Sequence, residues 1–340
     1  MFNNKSILIT GGSGLFGRCF IETILRDFPS VKRIIVFSRD IQKHEEIEAL
    51  YPRKQYPQLR YFVGDVRDRE RLKRACEGVD IIIHAASLAS IEAAEYNPEE
   101  CIKTNIMGAE NVINAALEKG VHDVVALSSD KACAPLNLYG ATQLVSDKLF
   151  VAANNMRGSK DIRFSVVRYG NVLGSKGSVV PLFLKRKELG GRSLPITDKR
   201  MTRFIISNPE VVTAVEFALD HHMGGEIFVP KSPSYRITDM ATAIAPNMEQ
   251  EEIGIRPGEK IYEELISRAD SVNTLDMDDY YVILPSITYT CCHRENYIEH
   301  YNAQPVAEGF RYCSNENSVF DSVDTLRQKI RLYVKPTIKY

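Results

Sequence analysis

A glycine-rich turn between an apolar strand and an amphipathic helix constrains the fold of this chain more than any other feature. The apolar run Ser6 to Thr10 leads directly into the turn Gly11 to Gly17, GGSGLFG, after which apolar residues recur at helical spacing. Those helical positions are Phe20, Ile21, Ile24, Leu25 and Phe28. A strand, a glycine turn and a helix in this order place the pyrophosphate of a dinucleotide at a helix N-terminus. The sequence therefore predicts a dinucleotide-binding domain at the start of the chain.

Each glycine of the turn has its own expected role. Gly11 makes the tight turn, Gly14 lets the backbone approach phosphate, and Gly17 lets the helix pack on the strand. The neighbouring turn residues that we also expect to contact the cofactor are Ser13, Leu15 and Phe16.

The end of the second strand bears on the choice of cofactor. The run Ile34 to Phe37 is followed by Ser38, Arg39 and Asp40, with Lys43 one turn later. An acidic residue at this position binds the ribose hydroxyls of NAD, whereas a nearby arginine suits the 2′-phosphate of NADP. The basic residues favour NADP, although Asp40 keeps NAD open and Arg39 is also compatible with a solvated surface charge.

Further strand and helix units continue through Arg168, and their strands are continuous apolar runs. Such runs are typical of parallel strands buried on both faces. We therefore predict the α/β class, with a doubly wound parallel sheet of Rossmann type. Small or acidic residues after two of these strands, which we expect to contact the cofactor, are Asp65, Val66, Ala85 and Ala86.

The rhythm of the sequence changes after Tyr169. We predict a dinucleotide-binding domain over residues 1–170. Residues 171–340 are expected to form a smaller α/β domain, mainly substrate-binding, and a C-terminal tail. The elements of this second part are expected to be interleaved with the first domain. A strand around Tyr280 to Leu284 is expected in that second part. Its loops contain Lys176, Arg203 and Arg256, which favour a second phosphorylated ligand, with ordinary surface charge as the alternative.

The stretch Ser128 to Gln143, SSDKACAPLNLYGATQ, contains the candidate reactive groups. It begins where a buried strand ends, and a helix is expected to start at about Leu138. A hydroxyl, a carboxylate, an amine and a phenol at one strand end can relay protons in both directions. These groups belong to Ser129, Asp130, Lys131 and Tyr139.

Composition excludes several classes of protein. The 340 residues carry a formal net charge of −1, which gives no electrostatic case for binding nucleic acid or an anionic membrane. No apolar run approaches bilayer length, the N-terminus reads straight into a strand, and the seven cysteines are scattered, so a reducing cytoplasm is expected. Cys291, Cys292 and His293 are adjacent rather than spaced like metal ligands, and we expect no metal site.

Taken together, the motifs resemble the extended short-chain dehydrogenase/reductases, and within them the inverting UDP-N-acetylglucosamine 4,6-dehydratases that open the pseudaminic acid pathway. The similarity runs from Ile7 to about Leu284. Asp-Lys at 130–131 is the most specific step, because retaining sugar-nucleotide dehydratases have Asp-Glu there. The motifs are GGSGLFG at 11–17, FSRD at 37–40, GDVRD at 64–68, IKTNIMGAENV at 102–112, SDKA at 129–132, NLYGAT at 137–142, RYGNV at 168–172, RMTRF at 200–204 and GIRPGEK at 254–260.

The resemblance implies an internal redox reaction with no net use of NADP. Tyr139 would take the proton of the 4-hydroxyl, Lys131 the proton on carbon 5, and Asp130 would protonate the departing 6-hydroxyl. A lysine acts as a base only with a lowered pKa, which burial next to a cationic nicotinamide is expected to provide. The UDP-sugar would be held by Ser129, Asn171, Lys176, Arg203, Arg256 and Glu259. The resemblance also implies a homo-oligomer.

The sequence departs from the family at two places that concern the chemistry. Gln143 stands where the family has a lysine one turn after the tyrosine, on a helix surface expected to face the ligand, and Ala89 replaces a second cation. Gln143 can still hydrogen-bond the cofactor ribose but brings no charge. The departures leave two alternatives to a working dehydratase: a catalytically impaired homologue that binds NADP or UDP-sugar as a sensor or assembly subunit, and a UDP-sugar epimerase.

Overall fold

The computed structural model describes residues 1–287 and 294–334, in which one large sheet is accompanied by three small ones. In chain order the strands are β1 (Ser6–Thr10), β2 (Arg33–Ser38), β3 (Leu59–Val63), β4 (Ile81–His84), β5 (Asp123–Ser129), β6 (Arg163–Tyr169), β7 (Asn171–Val172), β8 (Ser193–Ile196), β9 (Thr202–Ile206), β10 (Ile227–Pro230), β11 (Ser234–Arg236), β12 (Glu249–Glu252), β13 (Glu264–Ile266), β14 (Thr274–Met277), β15 (Tyr280–Ile283), β16 (Gln304–Pro305) and β17 (Tyr312–Cys313).

The large sheet has the order β16-β14-β15-β10-β6-β5-β4-β1-β2-β3. From β3 to β10 each neighbouring pair is parallel, whereas β15, β14 and β16 extend the sheet in antiparallel fashion. The chain runs from β1 outward to β3 and then returns to β4 on the other side of β1. This reversal creates a switch point between β1 and β4, where open α/β sheets bind ligands. The predicted α/β class with a doubly wound parallel sheet is therefore confirmed.

Helices connect the strands. In chain order they are α1 (Leu15–Asp27), α2 (Ile41–Leu50), α3 (Arg69–Ala75), α4 (Ile91–Tyr96), α5 (Pro98–Ile102), α6 (Gly108–Lys119), α7 (Leu138–Ala153), α8 (Val179–Glu188), α9 (Asn208–His221), α10 (Ile237–Ile244), α11 (Arg294–Tyr301) and α12 (Val323–Tyr333). A π-helical stretch over Lys103–Met107 joins α5 to α6. The helix predicted to start at about Leu138 is α7.

The large sheet is buried on both faces, which explains its continuous apolar strands. Ile7 and Ile9 of β1 pack with Phe20 and Ile24 of α1 on one face. Leu8 points to the other face and packs in the cluster that includes Val112 of α6. Alternate residues of one strand thus enter two different cores, as a parallel sheet between two helix layers requires.

A third apolar cluster is formed by residues after position 170, from α8, β8, α10 and α12. It includes Phe183, Leu194, Met240 and Leu326. The strand expected around Tyr280, however, lies in the large sheet as β15, because it pairs with β10 and buries Val282 in the main core. The chain therefore returns from the smaller unit to the large sheet, and a domain boundary near residue 170 stays a prediction.

Within residues 1–287 and 294–334, no helix combines the length and apolarity needed to cross a membrane. Cys291, Cys292 and His293 lie outside the described residues. Among the residues that are described, no group of three or more His, Cys, Asp or Glu side chains is placed to hold a metal ion.

Candidate active site

The end of β5 and the start of α7 meet at a glycine. After Ser129 the backbone makes a short turn over Asp130–Ala132, and Asn137 then caps α7 by accepting a hydrogen bond from the Gly140 N–H at 2.8 Å. A Cβ on Gly140 would lie 2.2 Å from the carbonyl oxygen of Lys131. Because only glycine permits this approach, the helix start packs directly on the turn. Lys131 and Tyr139 are thereby brought to the same site.

Asp130 and Lys131 form a buried acid–amine pair. Asp130 is fully buried, and its Oδ1 accepts hydrogen bonds from the Ser129 hydroxyl at 2.9 Å and from Lys131 Nζ at 2.9 Å. Asp130 Oδ2 is also buried, and no side chain or backbone group in the described part of the chain hydrogen-bonds to it. One oxygen of the carboxylate is thus tied to Lys131, while the other is available to a ligand hydroxyl.

Two carboxylates dominate the electrostatic environment of Lys131. Burial lowers the pKa of Lys131, but the negative charges of Asp130 and Glu263 outweigh that effect and raise the pKa above its ordinary value. The Glu263 Oε1 lies 3.6 Å from Lys131 Nζ. In the protein by itself Lys131 is therefore an ammonium, and the lowered pKa expected beside a cationic nicotinamide stays a prediction.

Tyr139 lies in the first turn of α7 and is almost completely buried. Burial raises the pKa of Tyr139, and the charge of Lys131 and the interactions with Ser129 and Gln143 only partly oppose the rise. Gln143 Nε2 donates to the phenol oxygen at 3.4 Å. Gln143 is 6% exposed, so position 143 is buried beside the phenol instead of lying on the helix surface as expected.

The glycine turn has the shape that a dinucleotide needs. Gly11 has φ +67°, and a Cβ there would lie 2.9 Å from the backbone of Ala85. A Cβ on Gly17 would lie 2.1 Å from the carbonyl oxygen of Gly12. Gly14 is the N-cap of α1 and adds no side-chain hydrogen bond, so the first N–H groups of the helix are left for a phosphate. These residues fit a bound pyrophosphate.

The other predicted residues of the turn are divided between core and surface. Ser13 is buried, Leu15 is exposed at the start of α1, and Phe16 packs against the core beside Phe20. Ala85 and Ala86 follow β4 directly, and the Ala86 N–H donates to Thr10 Oγ1 at 3.3 Å. They therefore flank the glycine turn, and their contact with the cofactor stays a prediction.

The end of β2 brings together the residues expected to select the cofactor. Asp40 caps α2 by accepting from the Lys43 N–H at 3.1 Å, and its carboxylate is 3.4 Å from Lys43 Nζ. Ser38 Oγ lies 2.8 Å from Nε2 of His44, a residue that the sequence analysis did not select. Asp40 is therefore the cap of α2, with the Lys43 amine beside its carboxylate.

Arg39 at the same strand end is exposed and pairs loosely with Asp65, with 3.5 Å between Nη1 and Oδ2. Asp65 pairs more closely with Arg67, at 2.7 Å, so Arg39 can turn to a ligand without leaving Asp65 unpaired. Val66 is buried and would meet a Cβ on Gly108 at 2.8 Å. The segment after β3, which is expected to contact the cofactor, therefore lies against the first turn of α6.

Some of the residues predicted to bind the substrate lie at the Asp130–Lys131 pair, and others lie away from it. Asn171 Oδ1 accepts from Lys131 Nζ at 3.4 Å, and Arg203 donates to the carbonyl oxygens of Lys260 at 2.8 Å and Ile261 at 3.0 Å. The structure brings these two residues to the Asp130–Lys131 pair. Lys176 is exposed on a separate loop and has no hydrogen bond or ion pair within the described residues.

The turn that contains Arg256 and Glu259 is fixed to the start of α7. The side-chain amide of Asn137 donates to the Gly258 carbonyl at 2.8 Å, and Lys260 Nζ donates to the Cys133 carbonyl at 2.8 Å. Arg256 is about half exposed and 4.0 Å from Glu92, and Glu259 keeps a buried Oε2 without a hydrogen bond in the described chain. Both residues therefore border the site without touching Lys131.

Sequence reasoning missed Tyr235, Lys260 and Glu263. Burial raises the pKa of Tyr235, while the charge of Arg203, its interaction with Asn171 and the charge of Lys131 oppose the rise. Glu263 is buried beside Lys131, whereas its neighbour Glu264 pairs with Arg311 at 3.1 Å. Two adjacent glutamates at the start of a short strand give no signal in the sequence of which one faces the site.

Comparison with known proteins agrees with this geometry. The family model described as "Polysaccharide biosynthesis protein" matches residues 7–285. A protein of Campylobacter jejuni subsp. jejuni serotype O:2, named UDP-N-acetylglucosamine 4,6-dehydratase (inverting), is 51% identical over 332 residues, which are 97% of this chain and 98% of that protein. A Rickettsia canadensis protein named UDP-glucose 4-epimerase is 40% identical, over 83% of this chain and 84% of its own.

Among solved structures, the X-ray structure of Pen from Bacillus thuringiensis superposes with a TM-score of 0.87 at 32% identity, covering 98% of this chain and 99% of that one. The family match covers most of the chain, and the identity to the Campylobacter protein extends over nearly its full length. The resemblance inferred from the motifs is confirmed. The chain therefore belongs to the polysaccharide biosynthesis protein family, within the extended short-chain dehydrogenase/reductases, together with the inverting UDP-N-acetylglucosamine 4,6-dehydratases.

Proposed function

We propose that this enzyme is an NADP-dependent sugar-nucleotide 4,6-dehydratase that acts on UDP-N-acetylglucosamine and inverts carbon 5. The observation that supports it best is the buried Asp130–Lys131 pair beside Tyr139, with 2.9 Å between Lys131 Nζ and Asp130 Oδ1. Elimination of water needs an acid at one carbon and a base at the next, and this pair offers both on adjacent residues.

Tyr139, Lys131 and Asp130 have separate roles in the proposed reaction. Tyr139 takes the proton of the 4-hydroxyl. A nicotinamide cofactor held at the glycine turn would accept a hydride from carbon 4 and return it to carbon 6. The 4-ketone acidifies the hydrogen on carbon 5, which Lys131 removes as a proton. The bonding electrons of that hydrogen form a double bond between carbons 5 and 6 and expel the 6-hydroxyl, which leaves as water with the proton of Asp130. Carbon 5 finally takes up a proton from solvent on the face opposite Lys131, which inverts its configuration.

The proton count requires Lys131 and Asp130 to exchange a proton first. In the protein by itself the charges of Asp130 and Glu263 keep the pKa of Lys131 raised, so Lys131 is an ammonium beside a carboxylate. The reactive form has a neutral amine and a protonated Asp130, which differs only by moving one proton along their 2.9 Å hydrogen bond. The net charge of the pair is the same in both forms. A buried site can therefore interconvert them without taking up or releasing a proton.

Binding of the two ligands is assigned to the residues around this pair. We assign the UDP-sugar to Ser129, Asn171, Arg203, Arg256 and Glu259, with Lys176 as an outer contact that must reach in from its loop. We assign the cofactor to the glycine turn, to the end of β2 and to Gln143 beside Tyr139. Arg39 and Lys43 favour the 2′-phosphate of NADP, and the use of Asp40 as a helix cap weakens the case for NAD.

The two alternative functions require different groups at the same site. A catalytically impaired homologue is favoured by Gln143, because the phenol of Tyr139 has only an uncharged neighbour at 3.4 Å and burial raises its pKa. An epimerase would use Tyr139 but has no role for an acid–amine pair at 130–131. We also propose that the protein is a homo-oligomer in solution, which light scattering measures directly.

One incubation tests the proposed function. The protein, NADP and UDP-N-acetylglucosamine are mixed, and proton NMR follows the sugar. The expected product has a methyl group at carbon 6, a ketone at carbon 4 and inverted configuration at carbon 5, and Tyr139→Phe should form none. A UDP-sugar that changes only at carbon 4 would show an epimerase, and an unchanged sugar that nevertheless binds would show the impaired homologue.

A further inference from the structure

Glu263 is a buried carboxylate surrounded by cations, and the reaction proposed above does not use it. It is 3% exposed, and its Oε1 lies 3.6 Å from Lys131 Nζ and 3.9 Å from Arg203 Nε. Its Oε2 lies 3.9 Å from Lys260 Nζ and accepts no hydrogen bond from the described residues. Burial of a carboxylate is costly unless nearby charges compensate it, so these three cations stabilise its ionised form.

The position of Glu263 is fixed by its backbone. Its N–H donates to Ser314 Oγ at 3.0 Å, and its carbonyl oxygen accepts from the Ser314 N–H at 2.8 Å. Ser314 is fully buried and its hydroxyl also contacts Thr202 Oγ1 at 2.8 Å, one residue before Arg203. The Glu263 carboxylate is therefore held beside Lys131 by a buried segment that is far from Asp130 in sequence.

The charge balance of the reaction gives this placement a purpose. When Lys131 is ready to act as a base, Asp130 has the proton that it will give to the leaving hydroxyl and is neutral. Asp130 then cannot stabilise the positive charge that develops on Lys131 as the carbon-5 proton arrives. Glu263 is the ionised carboxylate that remains beside Lys131 at that moment, at 3.6 Å.

On these grounds, and resting on the proposed function, we propose that Glu263 is a positioning residue for Lys131, which orients the amine and stabilises the ammonium formed when it takes the carbon-5 proton. The proton moves from carbon 5 to Lys131 Nζ, and its bonding pair forms a double bond between carbons 5 and 6. The 6-hydroxyl leaves with the carbon–oxygen pair, and Asp130 supplies the proton that completes water. Glu263 neither gains nor loses a proton. The ionisable groups that face Lys131 are Asp130, Tyr139, Arg203, Tyr235 and Glu263 itself, and of these Arg203 and Glu263 keep their charge throughout.

The test is Glu263→Gln, which keeps the size of the side chain and removes its charge. Entry of solvent deuterium at carbon 5 should become slower by about 10²-fold, at the lower end of what a positioned proton-transfer group contributes. Formation of reduced cofactor on mixing with the UDP-sugar should keep its rate, because oxidation at carbon 4 depends on Tyr139. Because the negative charge raises the pKa of Lys131, its loss should move the pH dependence governed by Lys131 toward lower pH.

Two further variants separate this role from a structural one. Glu264→Gln removes the charge of the adjacent glutamate, which pairs with Arg311 at 3.1 Å, and should leave the exchange rate and the pH profile as in the parent. Glu263→Asp keeps the charge at a longer distance and should restore part of the exchange rate, with the pH profile close to that of the parent. If Glu263→Gln does not fold, the aspartate variant decides: it should slow exchange at carbon 5 and leave oxidation at carbon 4 unchanged.

The outcomes distinguish the inference from the function on which it rests. A parent protein that forms no 4-keto-6-deoxy sugar would overturn the proposed function and, with it, the role of Glu263. An active parent whose Glu263→Gln variant exchanges deuterium at the parental rate with an unshifted pH profile would overturn the inference alone. Equal losses at carbon 4 and carbon 5 would also overturn it, because they would show that Glu263 supports the site only structurally.

Discussion

The sharing of protons among a few buried groups determines the chemistry available to this site. Lys131 is an ammonium in the protein by itself, since Asp130 and Glu263 raise its pKa more than burial lowers it. Tyr139 is a neutral phenol, since burial raises its pKa and the nearest side-chain donor, Gln143, has no charge. Both groups must therefore lose a proton within the complex before they act as bases, which makes single substitutions beside them informative.

Gln143→Lys is expected to increase the rate. A cation one turn from Tyr139 should lower the pKa of the phenol by roughly 1–3 units, against an unperturbed value of about 10. Turnover at pH 7 should rise by about tenfold or more, and the alkaline rise of the pH–rate profile should move toward neutral pH. Because position 143 is buried, thermal melting should be recorded alongside the steady-state kinetics. An inactive lysine variant that still binds NADP and UDP-sugar would instead favour the impaired homologue.

Lys131→Met is expected to abolish dehydration while hydride transfer from carbon 4 continues. Lys131 is assigned to the carbon-5 proton, so solvent deuterium should enter carbon 5 with the parent and not with the variant, as NMR would show. Removal of the amine leaves Asp130 and Glu263 buried without their shared partner, at a cost of about 3–5 kcal/mol for a broken buried pair. Lys148→Met, on the exposed side of α7, is the control and should match the parent. Equal deuterium incorporation with Lys131→Met would mean that another residue is the base.

At the scale of single elements, the N-terminus of α7 and the end of β2 determine where the site residues lie. The side chain of Asn137 both caps α7 and hydrogen-bonds the turn at Gly258. It therefore joins the helix that contains Tyr139 to the loop that contains Arg256. At the end of β2, the cap of α2 uses the only carboxylate of the Ser38–Asp40 tripeptide.

Asn137→Ala tests the first of these elements. Loss of the cap should lower the free energy of unfolding by about 0.5–2 kcal/mol, as measured by urea denaturation. Loss of the Gly258 contact should in addition weaken binding of the UDP-sugar. Ser322→Ala removes the cap of α12, where Ser322 accepts from the Thr325 N–H at 3.2 Å, and should reduce stability without changing binding. Unchanged UDP-sugar affinity in Asn137→Ala would show that the turn is held by other contacts.

Arg39→Ala tests the second element. The variant should lose about 1.5–3 kcal/mol of NADP affinity, the contribution of a charge-assisted hydrogen bond, while NAD affinity stays nearly the same. Calorimetric titration with each cofactor measures both values without turnover. Arg53→Ala removes another exposed arginine, paired with Glu48 at 2.6 Å, and should affect neither cofactor. Equal losses for NADP and NAD would contradict the assignment of Arg39 to the 2′-phosphate.

At the scale of the whole molecule, polar contacts connect the large sheet to its outer helix layer. Asp123, at the start of β5, lies 3.0 Å from His222 Nε2 at the end of α9 and 2.8 Å from Arg163 Nη2 of β6. Burial tends to raise the pKa of Asp123, but the hydrogen bonds and charges of His222 and Arg163 lower it below its ordinary value. A group with a lowered pKa in the folded state stabilises the protein above its unfolded pKa, and that contribution disappears as pH falls through the folded pKa.

Asp123→Asn should therefore destabilise the protein in a pH-dependent manner. At pH 7 the free energy of unfolding should fall by about 1.5–3 kcal/mol, the range for hydrogen bonds to charged groups. The difference from the parent should stay constant down to about pH 5 and shrink as pH falls below about 4, near the unfolded pKa of aspartate. Urea denaturation across this range measures it, and a difference that grows toward acid pH would contradict the sign.

The local patterns of the chain determined the class of fold and the core of the site. Only glycine fits at Gly11 and Gly17, where a Cβ would meet backbone atoms at 2.9 and 2.1 Å. The turn can therefore be predicted from the sequence alone. Continuous apolar strands predicted a parallel sheet because both of its faces are covered. Ser129, Asp130, Lys131 and Tyr139 are close in sequence, and a strand end followed by a helix start brings such residues together.

The tertiary structure alone decided the state of charge in that site. Glu263 and Arg203 reach Lys131 from distant parts of the chain, and their effect on its pKa depends on distances that no periodicity encodes. The same holds for Gln143, which is buried instead of facing solvent, and for Asp40, whose carboxylate caps a helix. Sequence patterns report backbone conformation and apolar burial, which are local, whereas the charge on an amine is determined by every ionised group that folding places around it.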